Sequence, residues 1–106
     1  MEAGSGQPQP WDREKVMLAY SDAIGLVEAL DADRTGDVYR QELARIAEWR
    51  LEPAEGDEDF VNRLAYVLYG SSLFGLGALK GVEAEGKISR EEALARISQS
   101  VDAWLG

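Results

Sequence analysis

The chain has 106 residues, with 20 acidic against 11 basic side chains and a formal charge of −9 at pH 7. This length suits one domain with a modest core, and the negative charge favours a cation as partner over nucleic acid or an anionic membrane. Cysteine and histidine are both absent, which excludes disulfides, thiolate chemistry, zinc sites built on these residues and catalytic triads that use histidine.

Residues 1–10 contain neither a basic segment nor an apolar one, so they predict a disordered tail and not a secretion signal. No apolar run in the chain approaches the roughly 20 residues that span a bilayer. We therefore expect a soluble, cytoplasmic protein whose folded part covers residues 11–106.

A first helix is predicted to begin near Trp11 and Asp12 and to run as far as the acidic segment that starts at residue 31. Apolar side chains recur every three or four residues along it, which predicts one buried face. The members of that face are Val16, Tyr20, Ile24, Val27 and Leu30. Gly25 lies within the pattern at a cost of about 1 kcal/mol relative to alanine, which allows a local kink.

Residues 31–42 read Asp-Ala-Asp-Arg-Thr-Gly-Asp-Val-Tyr-Arg-Gln-Glu and satisfy every position of a twelve-residue EF-hand calcium loop. Ca²⁺ is a hard cation that takes about six to eight oxygen ligands, so it needs neither histidine nor cysteine. The predicted ligands are Asp31, Asp33, Thr35, Asp37, Tyr39 and Glu42.

A calcium loop requires these residue types at these positions for chemical reasons. The chain must turn sharply around the ion, and Gly36 can adopt a positive φ at little steric cost. Asp37 is predicted to coordinate through its backbone carbonyl and Tyr39 through a water molecule. Glu42 closes the shell with both carboxylate oxygens, which favours Ca²⁺ over the smaller, octahedral Mg²⁺. The alternative is an acidic turn between two helices, for which average residue frequencies give a chance match on the order of 10⁻⁴.

A second helix is predicted from Leu43 to Leu51, ending before Pro53. Residues 52–59 are acidic and are predicted to form a solvated linker in which Asp57 caps the next helix, with a second acidic metal site as the alternative. The third helix carries Phe60, Leu64, Val67 and Leu68 towards Leu79. Glycines 70, 75 and 77 lie within it, and they predict a break, a bend or a close approach to a neighbouring element.

Residues 81–92 align with the first loop at Gly86, Ile88 and Glu92 but begin with a glycine in place of a carboxylate. This segment predicts a degenerate second loop, whose metal binding is left open. Ser89 and Glu92 form a capping box that starts the last helix, and Val38 and Ile88 are predicted to join the two loops as a very short antiparallel β contact. The apolar stripe of the last helix is Leu94, Ile97, Val101 and Trp104.

Over residues 12–104 the chain resembles the N-terminal half of calerythrin and the sarcoplasmic calcium-binding proteins. The resemblance is carried by the complete loop at 31–42, the long spacer after it and the degenerate loop at 81–92. It implies an all-α pair of EF-hands, with a first hand at about 12–51 and a degenerate second hand at about 58–104. Because the family usually has four hands, an apolar face without its other half predicts self-association or a helical protein partner.

Two functions follow from these features. One is a calcium buffer or sensor with a single working loop and a dissociation constant of about 10⁻⁷–10⁻⁵ M. The alternative is a calcium-independent helical adaptor that binds a protein through an exposed apolar groove. An enzyme is not expected, because no spacing places a nucleophile beside a base.

Overall fold

A computed structural model describes residues 11–106, which form α1 (Arg13–Ala32), α2 (Asp37–Ile46), a π-helical turn (Ala47–Leu51), α3 (Asp57–Gly86) and α4 (Arg90–Leu105). The predicted all-α class is confirmed. The predicted tail at 1–10 lies outside the described residues. No strand occurs between residues 11 and 106, and Val38, which the sequence predicts to form a β contact with Ile88, lies in α2 instead. The chain divides into two compact units, the first ending at Ser71 and the second covering Ser72–Gly106.

Helix α1 begins where the sequence predicts. Asp12 is the N-cap, and its Oδ1 accepts hydrogen bonds from the backbone N–H groups of Glu14 at 2.9 Å and Lys15 at 3.2 Å. The Asp12 backbone N–H donates to the hydroxyl of Tyr66 at 2.8 Å. Trp11 packs edge-on against the same tyrosine ring, with centroids 5.1 Å apart. The start of α1 is therefore fixed both by its own cap and by α3.

The buried face of α1 is rotated relative to the prediction. Val16 is buried as expected, but Val27 and Leu30 are 43% and 40% exposed. Alanine occupies three of the six buried positions of α1, and its small side chain lets a neighbouring helix approach closely. The buried apolar residues of the first unit are Val16, Ala19, Ala23, Leu26, Ala29 and Ile46.

The close approach occurs at Gly70, where α3 meets α1. A β-carbon built at Gly70 would lie 2.4 Å from the carbonyl carbon of Ala19 and 2.6 Å from its β-carbon. In the described part of the chain, Gly75 and Gly77 have no such neighbour within 4 Å, and α3 continues through all three glycines. Of the three predicted alternatives, close approach is confirmed at Gly70 and a break is wrong.

A buried ion pair links α1 to the π-helical turn. Asp22 is 6% exposed on the buried face of α1, and its carboxylate accepts hydrogen bonds from Arg50 Nε at 2.8 Å and Nη2 at 3.3 Å. Arg50 itself belongs to the π-helical turn, in which Glu52 N–H donates to the Ala47 carbonyl at 2.9 Å. The helix ends before Pro53, as predicted.

The acidic linker before α3 is held by hydrogen bonds to Asp59. The predicted cap at Asp57 is wrong, because Asp57 is already the first residue of α3. Gly56 precedes it at φ +95°, and its carbonyl accepts from Phe60 N–H at 3.0 Å. Asp59 Oδ2 instead accepts from the backbone N–H of Glu55 at 2.9 Å and from Arg63 Nε at 3.1 Å. The bond from the Glu55 backbone, followed by that from Arg63, lowers the pKa of Asp59 below its ordinary 3.8.

We expect Asp59 to contribute to acid sensitivity. Because its pKa is lower in the folded than in the unfolded chain, its stabilising contribution is present above about pH 4 and is lost as the pH falls through the folded pKa. The Asp59→Asn variant should therefore melt at a lower temperature than the wild type at pH 6, and the difference should shrink below pH 4. Circular dichroism melts between pH 6 and pH 2.5 measure this.

The matched control is Asp57→Asn, which removes an equal charge from the same helical turn without removing those two bonds. If the melting temperatures of the wild type and the Asp59→Asn variant differ by the same amount at every pH in this range, the contribution of Asp59 to acid sensitivity is contradicted.

Candidate functional site

The predicted calcium loop is a tight turn between α1 and α2. Helix α1 ends at Ala32, Asp33 has an extended backbone with φ −148°, and Gly36 N–H donates to the Asp33 carbonyl at 3.1 Å. Gly36 has φ +85°, the left-handed conformation that the sequence predicts. Apart from its two chain neighbours, no residue among 11–106 has an atom within 4 Å of a β-carbon built there, so backbone conformation and not space is what requires glycine.

The first half of the segment brings two predicted ligands together. Asp33 Oδ1 accepts hydrogen bonds from Thr35 Oγ1 at 2.8 Å and Thr35 N–H at 3.0 Å. The side-chain bond is the larger cause of the lowered pKa of Asp33. Asp31 is exposed in the last turn of α1. This half of the segment therefore presents carboxylate and hydroxyl oxygens to solvent.

The second half departs from the predicted loop. Helix α2 begins at Asp37, so Asp37 and Tyr39 lie in its first turn, and Arg40 N–H donates to the Gly36 carbonyl at 3.0 Å. The backbone carbonyl of Asp37 points along the helix axis towards the N–H four residues later, as in any α-helix. Helix formation gives these backbone groups partners, and the Asp37 carboxylate complements the positive end of the helix dipole.

Glu42 is held by Arg45 on the same helix. Arg45 Nη2 lies 2.6 Å from Glu42 Oε2, and Nε donates to Oε1 at 3.1 Å. This hydrogen-bonded pair lowers the pKa of Glu42 and raises that of Arg45. The Glu42 carboxylate also lies against α1, because a β-carbon at Gly25 would be 2.8 Å from Oε2. Gly25 thus provides room for a side chain of α2, which the sequence did not reveal.

The donor set of residues 31–42 suits a hard cation, but the arrangement does not close a coordination shell. Among residues 11–106, no three acidic side chains lie together in a way that could hold a metal ion. Asp33 and Thr35 are in contact, whereas Glu42 is paired with arginine and Asp37 is helical. Calcium coordination of the predicted kind requires the first turn of α2 to change.

The second predicted loop begins inside a helix, which corrects its boundary. Gly81–Gly86 is the last part of α3, where alanine and glutamate favour helix, and the turn follows only at Lys87, which has φ +52°. Glu83 is paired with Arg90, and Glu92 with Arg96 at 3.3 Å. These carboxylates are therefore engaged separately and do not converge on a common site.

Half of the predicted capping box is present in this second unit. Ser89 is the N-cap of α4, and its Oγ accepts from Glu92 N–H at 3.2 Å, as predicted. Glu92 turns its side chain towards Arg96. Ala93 is fully buried, whereas Leu94 and Val101 of the predicted apolar stripe are 48% and 51% exposed.

Sequence reasoning missed a cavity of about 210 Å³ in the first unit. It is lined by Lys15, Trp49, Tyr66 and the ion pair of Asp22 with Arg50, among other residues. The sequence did contain one signal for this cavity, namely Asp22. It is a charged residue that lies at helical spacing among the small residues of the buried face of α1.

Comparisons with known proteins give no relative from which a function could be transferred, because no family model, curated protein or solved structure matches the chain. Among the helices described for residues 11–106, none has the combined length and apolarity needed to cross a membrane.

Proposed function

We propose that this chain is a calcium-binding protein whose working site is residues 31–42. The observation that carries the proposal is the positive φ of Gly36 in the middle of a segment that supplies oxygen donors at each position an EF-hand loop requires. In this proposal residues 81–92 are a degenerate second hand, and the chain is an EF-hand pair.

Exposure and charge support the proposal. Asp31, Thr35 and Asp37 are exposed, so an ion can reach the turn from solvent. The ligand carboxylates of Asp31, Asp33 and Glu42 would place three negative charges around a divalent ion, in a chain of formal charge −9. Binding an ion relieves repulsion among these groups and adds about 2.7 kcal/mol of stability at a hundredfold excess over the dissociation constant.

The test is a calorimetric titration of Ca²⁺ into protein treated with a chelator, repeated in the presence of Mg²⁺. We expect one ion per chain, because only residues 31–42 form a complete loop, and we expect Mg²⁺ to compete weakly. Two ions per chain would reassign residues 81–92 as a working site, and no bound ion would contradict the proposal.

Two aspartates of the segment provide a matched pair of variants. Asp31→Asn removes a carboxylate that is predicted to contact the ion, whereas Asp37→Asn removes one that stays outside because Asp37 contributes its carbonyl. Both variants lose one negative charge within seven positions of each other. We expect Asp31→Asn to weaken Ca²⁺ binding at least tenfold and Asp37→Asn to weaken it less than threefold, an order-of-magnitude expectation from one ligand against one distant charge. Equal effects would show that charge and not coordination governs binding.

The alternative function, a calcium-independent helical adaptor, is favoured by apolar exposure on α4. Leu94, Val101 and Leu105 are 48%, 51% and 74% exposed. Light scattering of the wild type with Ca²⁺ and with chelator separates the two functions. An oligomer of the same mass in both conditions and in Asp31→Asn would support the adaptor, whereas association only with Ca²⁺ would support a sensor that exposes apolar surface on binding.

A further inference from the structure

The Glu42 carboxylate is engaged at both of its oxygens by one side chain. Arg45 Nε donates to Oε1 at 3.1 Å and Arg45 Nη2 lies 2.6 Å from Oε2, the two-pronged geometry in which guanidinium and carboxylate planes align. A metal ion that is bound by both oxygens of a carboxylate occupies the same position, in the carboxylate plane and between the two oxygens. Arg45 and such an ion therefore exclude each other, both by space and by like charge.

We infer that Arg45 sets the calcium affinity of residues 31–42 by competing with the ion for Glu42. This inference depends on the proposed function, and it concerns a residue outside the twelve-residue loop. The side chains of Glu42 and Arg45 are 24% and 44% exposed, so the ion pair is only partly screened by solvent. The free energy of this ion pair opposes Ca²⁺ binding, since the pair must open before Glu42 can coordinate the ion.

Arg45 has a second acceptor when it leaves Glu42. Its Nη2 lies 3.8 Å from Oδ1 of Asp22, whose carboxylate also accepts from Arg50. The Asp22 side chain is 8% exposed, so it offers a fixed and poorly solvated negative charge. Release of Glu42 therefore does not leave the guanidinium without a partner, and the competition remains reversible.

The contact of Glu42 with α1 also helps to hold the carboxylate in the position where Arg45 binds it. Gly25 lacks the β-carbon that would lie 2.8 Å from Glu42 Oε2, so the carboxylate can rest on the α1 backbone while Arg45 holds it. Glu42 thus lies against α1 and is not free in solvent.

The test measures the Ca²⁺ dissociation constant of the wild type and three variants by calorimetry. Arg45→Gln removes the competitor, Arg45→Lys keeps its charge but loses the two-pronged geometry, and Arg40→Gln is the control for charge. Arg40 pairs with the exposed Asp37 at 3.5 Å, and so its loss removes the same charge without releasing Glu42. Circular dichroism of the metal-free variants checks that each one folds.

We expect Arg45→Gln to bind Ca²⁺ about three- to fivefold more tightly than the wild type, as suits a partly exposed ion pair. Arg45→Lys should also bind more tightly, by a smaller factor, and Arg40→Gln should stay within about twofold of the wild type. If Arg45→Gln is unfolded without metal, Arg45→Lys carries the test, because its charge is unchanged.

The outcomes separate this inference from the proposed function. Calcium binding with equal affinities in Arg45→Gln and Arg40→Gln, or with Arg45→Lys identical to the wild type, would overturn the competition and leave calcium binding intact. Absence of binding in the wild type and in all variants would overturn the proposed function as well.

Discussion

Replacing Gly70 with alanine is expected to destabilise the first unit by about 2 kcal/mol or more, despite the higher helix propensity of alanine. The added β-carbon would lie 2.4 Å from the Ala19 carbonyl carbon and 2.6 Å from the Ala19 oxygen. These atoms belong to the backbone of α1 and cannot rotate away, so the two helices must move apart. Urea denaturation followed by circular dichroism measures the loss.

Gly75→Ala provides the matched control within the same helix. Outside the adjoining turns of α3, no described residue has an atom within 4 Å of a β-carbon at this position, and Gly75 is exposed. The same substitution should therefore stabilise the chain by up to about 1 kcal/mol through helix propensity alone. Opposite signs at residues 70 and 75 would confirm the close approach of α1 and α3, whereas a stabilised Gly70→Ala variant would contradict it.

The starts of α1 and α4 were predictable because they depend on local chemistry. Asp12 and Ser89 cap α1 and α4 with side-chain oxygens, as their positions ahead of helical periodicity indicate. Pro53 likewise marks where the helical region beginning with α2 ends. Each of these signals needs only residues within one turn of the boundary.

The buried faces of the helices were less predictable, because they depend on which other helix packs against each one. The periodicity of α1 selects its large apolar residues, yet the structure buries Ala19, Ala23 and Ala29 and leaves Val27 and Leu30 partly exposed. Alanine suits either face of a helix on composition alone. The burial of Ala19 follows from the approach of Gly70, which lies 51 positions later in the chain and is not visible in any local pattern.

The candidate site at residues 31–42 also has one part that local sequence predicts and one part that it does not. Left-handed backbone at Gly36 and contact between Asp33 and Thr35 follow from local sequence, and both are present. The start of α2 at Asp37 does not follow from the loop pattern, because that pattern describes donors around an ion. In the structure the backbone carbonyls of residues 37–39 belong to α2, and Glu42 pairs with Arg45.

Replacing Glu42 with glutamine is expected to weaken Ca²⁺ binding on the order of 100-fold, because the substitution removes the ligand predicted to supply two charged oxygens. The metal-free protein should change little, since the ion pair that it loses is partly exposed and worth about 1 kcal/mol or less. The variant therefore separates binding from folding.

Thermal stability gives a second measurement of the same change. At a Ca²⁺ concentration of about 100 times the wild-type dissociation constant, the wild type should gain about 2.7 kcal/mol and the Glu42→Gln variant about 0.4 kcal/mol. The control is Glu48→Gln, which removes the same charge from an exposed side chain in the π-helical turn. If Glu48→Gln responds to Ca²⁺ like the wild type while Glu42→Gln does not, the ion is coordinated by Glu42. If all three proteins gain stability equally, Ca²⁺ acts on the negative charge of the whole chain and residues 31–42 are an ordinary turn.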